Sequence, residues 1–159
     1  MINQKAPDTG PTDARRDSPS DPFNLERFVM AQADDWESAR AELRSGRKTT
    51  HWIWYIFPQM RGLGHSPTAK RFSISSLDEA KAYLAHPLLG PRLIEATKLT
   101  LAIEGRTLHE IFGSPDDMKF RSSMTLFAEA GEGGLFADAI DRLCGGERDD
   151  ATLKLLGRV

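Results

Sequence analysis

The chain has 159 residues, of which 40% are hydrophobic and 13 are glycine. This composition is typical of a globular domain and argues against a disordered chain, a collagen-like fibre or a disulfide scaffold. With 21 basic and 23 acidic residues, the formal charge is -2 and the sequence pI is about 6.1, so the chain lacks the excess of positive charge that general nucleic-acid binding uses.

Residues 1–20 are predicted to form a disordered tail. They contain three prolines and no aromatic residue, too little apolar surface to offset the entropy cost of ordering, which leaves residues 21–159 for a single domain. The tail has no apolar segment of the kind found in secretory signals. The longest apolar run, residues 52–57, is far shorter than the roughly 20 residues that span a membrane. The sequence therefore predicts a cytoplasmic protein without membrane contact.

Two helix starts are predicted near the beginning of the domain. Asp21 is a typical N-cap, and Pro22 suits the first helical position. Asp34 or Asp35 can begin a second helix, which Gly46 would end. The inward faces would carry Leu25, Phe28, Val29 and Gln32 in the first helix and Trp36, Ala39 and Leu43 in the second.

The aromatic run from Trp52 to Phe57 fits either a strand or a buried helical turn. It is rich in aromatic and β-branched residues but does not alternate with polar ones, so its period does not decide between them. One isolated strand would leave its backbone groups unpaired, whereas a helical turn pairs them internally. We therefore interpret the run as a buried helical turn.

Further helix signals follow in the rest of the chain. Ser76 and Glu79 have the spacing of a capping box, and the helix that they begin would end near His86. Apolar residues spaced by threes and fours predict another helix from about Leu89 to before Gly105. Three more helices are predicted. The first begins at residues 114–117, and the other two span residues 135–143 and 150–156. The sequence thus predicts an all-α domain of about seven to nine short helices.

The segment from His51 to Ser66 is the first candidate for a binding site, because it holds four of the chain's thirteen aromatic residues. Flat rings beside hydrogen-bonding groups are typical of a pocket for a ring-containing ligand. The alternative is that the aromatic residues fill the core, which we favour for residues 53, 56 and 57. The candidate ligand-binding residues of this segment are His51, Trp52, Trp54 and Gln59.

Two further groups of side chains are candidates for ligand contact. Lys70 and Arg71 follow a predicted helix start at residues 66–67, and a lysine beside free amides can hold a phosphate; the alternative is a pair of ordinary surface cations. Lys119, Ser122 and Ser123 adjoin one another on a later helix. Because hydroxyl residues are uncommon inside helices, this group either lines a pocket or lets another helix pack closely.

No motif indicates a metal site or a cofactor, and the sequence predicts neither. The histidines at positions 51, 65, 86 and 109 show no i, i+4 pairing, and neither the phosphate-loop motif nor the nucleophile elbow occurs. Cys144 is the single cysteine, so no intramolecular disulfide can form. It is expected to be a core residue rather than a nucleophile.

A series of longer strings is distinctive: DPFNLERF at 21–28, HWIW at 51–54, FPQ at 57–59, GLG at 62–64, HPLLGPRL at 86–93, IFG at 111–113 and SSMTLF at 122–127. Together they resemble a bacterial family of unknown function, domain-of-unknown-function family 1810. The resemblance covers nearly everything from Asp21 to Leu156 and implies a mainly α-helical single domain. Members are sometimes labelled calpastatin, but inhibitors of that type are long disordered repeats, whereas this chain has the composition of a folded domain.

Lys119-Phe120, followed by Ser123, also resembles the NADAR family of helical N-glycosidases, in which an asparagine stands at the place of Ser123. Those enzymes act on ADP-ribose-type and riboflavin-pathway substrates, so the resemblance implies a nucleotide or ADP-ribose-like ligand and N-glycosidase-like hydrolysis. The acidic catalytic residues of that family have no counterpart that we can align here. Two functions are therefore open: small-molecule binding, with or without hydrolysis, and a non-catalytic protein-interaction module whose partner the sequence does not name.

Overall fold

Helices make up the framework of the computed structural model, which describes residues 20–131 and 133–158. Apart from Ser20, the predicted tail lies outside the described residues. Within them there is no strand, and the backbones of Met60 and Ile74 meet in one isolated parallel bridge. The all-α prediction is confirmed. The nine helices of the described part are α1 (Glu26–Ser45), α2 (Ile53–Ile56), α3 (Pro67–Arg71), α4 (Leu77–Ala85), α5 (Leu89–Leu101), α6 (Leu108–Phe112), α7 (Asp116–Ala130), α8 (Leu135–Leu143) and α9 (Asp150–Leu155).

Helix α1 begins later than predicted. The chain from Asp21 to Asn24 forms turns, and the Asp21 carboxylate accepts hydrogen bonds from the backbone amides of Leu25 at 2.7 Å and Glu26 at 3.1 Å. Asp21 therefore satisfies free amides at the start of a helix, as expected of a cap. It does so from a turn outside the helix, so residues 21–24 lie beside the start of α1 instead of forming its first turn.

The predicted second helix start at Asp34 or Asp35 is wrong, because α1 continues without a break to Ser45. The buried face of α1 keeps one helical spacing from end to end, so packing favours a single helix over two. Gly46 ends it with φ 88°, as predicted for a left-handed cap. The buried residues of this face are Phe28, Gln32, Trp36, Ala39 and Leu43.

The predicted capping box at the start of α4 is half formed. The Ser76 hydroxyl accepts a hydrogen bond from the Glu79 amide at 3.1 Å, as expected. The Glu79 carboxylate, however, accepts from the amide and the hydroxyl of Ser75 instead of the Ser76 amide. A complete capping box lies at α6, where Thr107 and Glu110 bond to each other's backbone amides.

The aromatic run is a buried helical turn, as predicted. Ile53, Ile56 and Phe57 are all at most 1% exposed. The Phe57 ring lies edge-on to Phe120 with the ring centroids 5.0 Å apart, and Phe112 stacks on Phe120 at the same distance. These three rings join α2 to α6 and α7, and α7 also packs against α4, α8 and α9. The core therefore surrounds α7.

Helices α4 and α5 approach each other so closely at Gly90 that no side chain fits there. A Cβ atom at Gly90 would lie 2.1 Å from the carbonyl oxygen of Leu84 and 2.9 Å from its carbonyl carbon. Both are backbone atoms, which cannot rotate away as a side-chain end can. Only residues 86–88 connect α4 to α5, and this short connection brings the start of α5 against the end of α4.

We predict that Gly90→Ala lowers the free energy of unfolding by about 2 to 3 kcal/mol, the cost of overpacking a site that cannot relax. In an ordinary helix the same change is stabilising by about 1 kcal/mol. Gly134→Ala is the control for a glycine that has room for a side chain, because a Cβ there meets nothing within 4 Å and φ is -123°. Gly134 is the N-cap of α8, where alanine is less favourable than glycine, so the control should lose about 1 kcal/mol at most. Urea unfolding measures both, and wild-type stability in Gly90→Ala would contradict the packing described.

Candidate functional site

A cleft with a volume of about 680 Å³ lies between the first turns of the domain, the start of α1 and the segment from Arg61 to Ser75. Three cations line it: Arg61, Lys70 and Arg71. Pro22, Phe23 and Met30 add apolar surface. A pocket of this size falls within the range of roughly 300–1,000 Å³ that small-molecule sites occupy.

The wall of the cleft is held together by Arg27. Its guanidinium has five N–H donors, and all of them are used. They bond to the carbonyl oxygens of Phe23, Asn24, Arg71 and Ser73 and to the carboxylate of Glu79, at distances of 2.7 to 2.9 Å. Arg27 therefore fixes three separate parts of the chain in one place and has no donor left for a ligand.

Glu79 is the buried partner of Arg27. Its carboxylate is 2% exposed and lies 2.8 Å from the Arg27 guanidinium, and its other oxygen accepts two hydrogen bonds from Ser75. A buried charge is tolerated when it is paired and hydrogen-bonded in this way. The Arg27–Glu79 pair is thus a structural part of the wall.

The three cations of the cleft differ from Arg27, because no carboxylate of the described residues lies within ion-pair distance of them. The Arg61 side chain bonds to the Ser73 hydroxyl through Nε at 3.3 Å, which leaves its other nitrogens free of described partners. The Arg71 guanidinium lies over the Phe72 ring, 5.3 Å from the centroid. All three side chains are exposed and can take an anion.

Backbone pairing positions Arg61 beside the other two cations. The Arg61 amide donates to the Ile74 carbonyl at 2.7 Å, and the Ile74 amide donates to the Gln59 carbonyl at 2.8 Å. Lys70 and Arg71 end α3 just before the paired segment. The cations thus converge because residues 59–61 and 72–74 lie side by side.

Of the eight predicted site residues, Lys70 lines the cleft. Trp54, Gln59 and Lys119 lie elsewhere, and the structure brings two of them together: the Lys119 ammonium lies 5.2 Å from the centroid of the Trp54 ring. Trp54 and Gln59 line a cavity of only about 10 Å³, which is about the space of one water molecule. Residues 69–73 contribute to both openings: Lys70 and Arg71 line the cleft, and Ala69, Phe72 and Ser73 line the small cavity.

Trp52 lies in the core beside α1, and His51 lies at the surface. Trp52 is 1% exposed, and its indole N–H donates to the Glu42 carboxylate at 2.9 Å. Glu42 also accepts from the amides of Thr49 and Thr50 and from the Thr50 hydroxyl. His51 is exposed, and its carbonyl accepts from Tyr55.

Ser122 and Ser123 are buried in α7. The Ser122 hydroxyl bonds back to the Met118 carbonyl at 3.1 Å, the local bond that hydroxyl residues often make inside helices. The Ser123 hydroxyl has no hydrogen-bond partner among the described residues. Neither lines the cleft or the small cavity beside Trp54.

Sequence reasoning missed the parts of the cleft that depend on distant pairing. Arg27 and Glu79 are 52 residues apart, and no local pattern marks either one as a partner of the other. Arg61 stands inside the segment singled out for its aromatic residues, but as a single arginine it has no local signature. Arg71 was visible beside Lys70 as the second cation of a short helix.

Among residues 20–131 and 133–158, no group of three or more His, Cys, Asp or Glu side chains lies close enough to hold a metal ion. None of the helices in the same part is long and apolar enough to cross a membrane. Cys144 is buried, and burial raises the pKa of its thiol, which disfavours the nucleophilic thiolate.

The chain belongs to the family described as "Protein of unknown function (DUF1810)", which matches residues 22–156. It is similar to the crystal structure of the conserved hypothetical protein Rv1873 from Mycobacterium tuberculosis, with 54% sequence identity and a TM-score of 0.85. That similarity covers 86% of this chain and 99% of the other. No curated protein matches the chain.

We predict that Glu42→Gln lowers the free energy of unfolding at pH 7 by about 1 to 3 kcal/mol, because the hydrogen bonds to a charged acceptor are lost or weakened. Burial alone would raise the pKa of Glu42, but the bonds from Thr50, Thr49 and Trp52 outweigh it and lower the pKa from 4.5 to about 2. The stabilisation by the carboxylate is therefore complete above about pH 4.5 and is lost as the pH falls towards 2.

Urea unfolding between pH 3 and pH 7 checks this prediction. The wild type should lose stability more steeply than Glu42→Gln below pH 4.5. The control is Glu104→Gln, since Glu104 is exposed and makes no ion pair with the described residues. Parallel pH curves for wild type and Glu42→Gln would show that the carboxylate is not held in this way.

Proposed function

We propose that the cleft binds a small phosphorylated molecule of the nucleotide or ADP-ribose type. The observation that carries this proposal is the convergence of Arg61, Lys70 and Arg71 on one concave surface, where none of them pairs with a carboxylate of the described residues. Surface cations are common, but three of them in one cleft create a positive potential that attracts a multiply charged anion.

The side chains of the cleft suit the two chemical parts of such a ligand. Arginine binds phosphate through paired N–H donors and lysine binds it as a point charge, so the cation side would take the phosphates. Phe23 and Met30 provide apolar surface for a base or sugar. A chain with a formal charge of -2 can hold a local positive site of this kind without binding nucleic acid in general.

Hydrolysis of an N-glycosidic bond stays a separate prediction. The residues that resemble the NADAR motif, Lys119, Phe120 and Ser123, do not line the cleft. A hydrolase would need a carboxylate to stabilise positive charge at the ribosyl carbon. Chromatographic detection of free base after incubation with ADP-ribose or NAD tests this activity without reference to binding.

The alternative of a non-catalytic interaction module also stays a prediction. The aromatic run would not supply its contact surface, because Trp52, Ile53 and Ile56 are buried. Large apolar side chains that are exposed include Met30, Ile94, Met118 and Leu155. This alternative predicts that no nucleotide raises the melting temperature.

We expect ADP and ADP-ribose to raise the melting temperature, because a ligand that binds the native state stabilises it. In isothermal titration calorimetry, Arg61→Gln and Lys70→Gln should each weaken binding by about tenfold or more, the loss of one charge-assisted contact. Affinity should also fall as the salt concentration rises.

Lys98→Gln is the matched control, since Lys98 is an exposed lysine on α5 away from the cleft. It should leave the affinity within about twofold of wild type. Equal losses in Lys98→Gln and Lys70→Gln would show a non-specific charge effect. A loss in Lys119→Gln with none in Arg61→Gln would place the ligand at the Trp54–Lys119 pair instead.

A further inference from the structure

Glu26 is a carboxylate of the cleft that has no partner among the described residues. It is the first residue of α1, it lines the same cavity as the three cations, and it is half-buried. Its side chain makes no hydrogen bond and no ion pair with any described residue. The other carboxylate of the cleft, Glu79, is held by Arg27 and Ser75.

The neighbouring arginine, Arg27, has no free N–H donor with which to bind the Glu26 carboxylate. Arg27 follows it in sequence, but all five of its donors already bond to other groups. The cations of the cleft lie beyond ion-pair distance of Glu26, although they line the same cavity. The structure thus leaves an acceptor-only group facing the space that a ligand would occupy.

The charge of Glu26 determines which part of a ligand can lie against it. A phosphate would be repelled by the carboxylate, whereas a hydroxyl group can donate a hydrogen bond to it. A carboxylate has two oxygens and can accept from two adjacent hydroxyl groups, and acidic residues recognise ribose hydroxyls in this way in dinucleotide sites. Met30, one turn after Glu26 on the same face of α1, provides apolar surface beside it.

We propose that Glu26 is a specificity residue that selects ligands carrying a ribose diol, so that the cleft takes ribosyl phosphates in preference to other phosphorylated molecules. The proposal rests on the proposed function, because it assigns the phosphates to Arg61, Lys70 and Arg71 and the sugar to Glu26.

A cycle of two proteins and two nucleotides tests this role. The proteins are wild type and Glu26→Gln, and the nucleotides are ADP and 2′,3′-dideoxy-ADP, which lacks the diol. Removing a negative charge from the cleft can strengthen the binding of both nucleotides alike, so the readout is the ratio of their affinities in each protein, measured by isothermal titration calorimetry.

Wild type should bind ADP about tenfold or more tightly than the dideoxy nucleotide, as expected for hydrogen bonds to a charged acceptor. In Glu26→Gln the preference should fall to about threefold or less. Glu104→Gln, which removes an exposed carboxylate outside the cleft, should keep the wild-type preference. The melting temperature of each variant reports whether the fold is intact.

Two results would overturn the role of Glu26 and leave the proposed function standing. One is that wild type binds both nucleotides equally while Arg61→Gln weakens both. The other is that Glu26→Gln keeps the full preference for ADP. If wild type binds neither nucleotide, the proposed function and the role of Glu26 fail together.

Discussion

The contact on which the cleft depends is the set of five hydrogen bonds donated by Arg27. They join the turn before α1, the end of α3 and the start of α4, which are brought together from distant parts of the chain. Because four of the five acceptors are backbone carbonyls, Arg27 fixes the path of the chain as well as the position of side chains. The buried Glu79 carboxylate completes the arrangement and would be left as an uncompensated charge without it. The cations that we assign to ligand binding stand on the segments that Arg27 holds.

The helices could be predicted from the sequence because their signals are local. The caps at Ser76 and Gly46 and the buried turn at residues 53–56 depend on residues within a few positions of one another. The sequence wrongly predicts a new helix start at Asp34 or Asp35, because both are good capping residues, whereas the apolar face of α1 continues through them. Of the residues that line the candidate cleft, the sequence marks Lys70 and Arg71, because both follow a local helix start. Arg27 and Arg61 take their positions through contacts between distant segments, and Glu26 lines the cleft because those segments meet beside the start of α1. Such long-range contacts have no local signal.

The aromatic segment shows why a dense cluster of rings was a poor guide to the cleft. Trp52 and Phe57 gain most from burial, and the structure places them in the core around α7. The polar end of Trp52 is satisfied by Glu42 and needs no ligand. Removing a charged side chain from water costs much more free energy than burying an aromatic ring. Charged side chains therefore stay at the surface, and some of them line the cleft. The features of the sequence that are richest in apolar rings therefore explain stability, and the sparser charged residues beside them define the candidate site.

The most direct test of ligand binding in the cleft is a titration of ¹⁵N-labelled protein with ADP. The backbone amide resonances are monitored in two-dimensional NMR spectra at each ADP concentration. If ADP binds in the cleft, the amides of Glu26, Arg61, Lys70 and Ser75 should show saturable shifts, with little change at Lys119 and Ser123. These shifts should weaken as salt is added, because salt screens the attraction between the cations and the phosphates. Shifts centred on Trp54 and Lys119, or no saturable shift at any concentration of ADP, would contradict binding in the cleft.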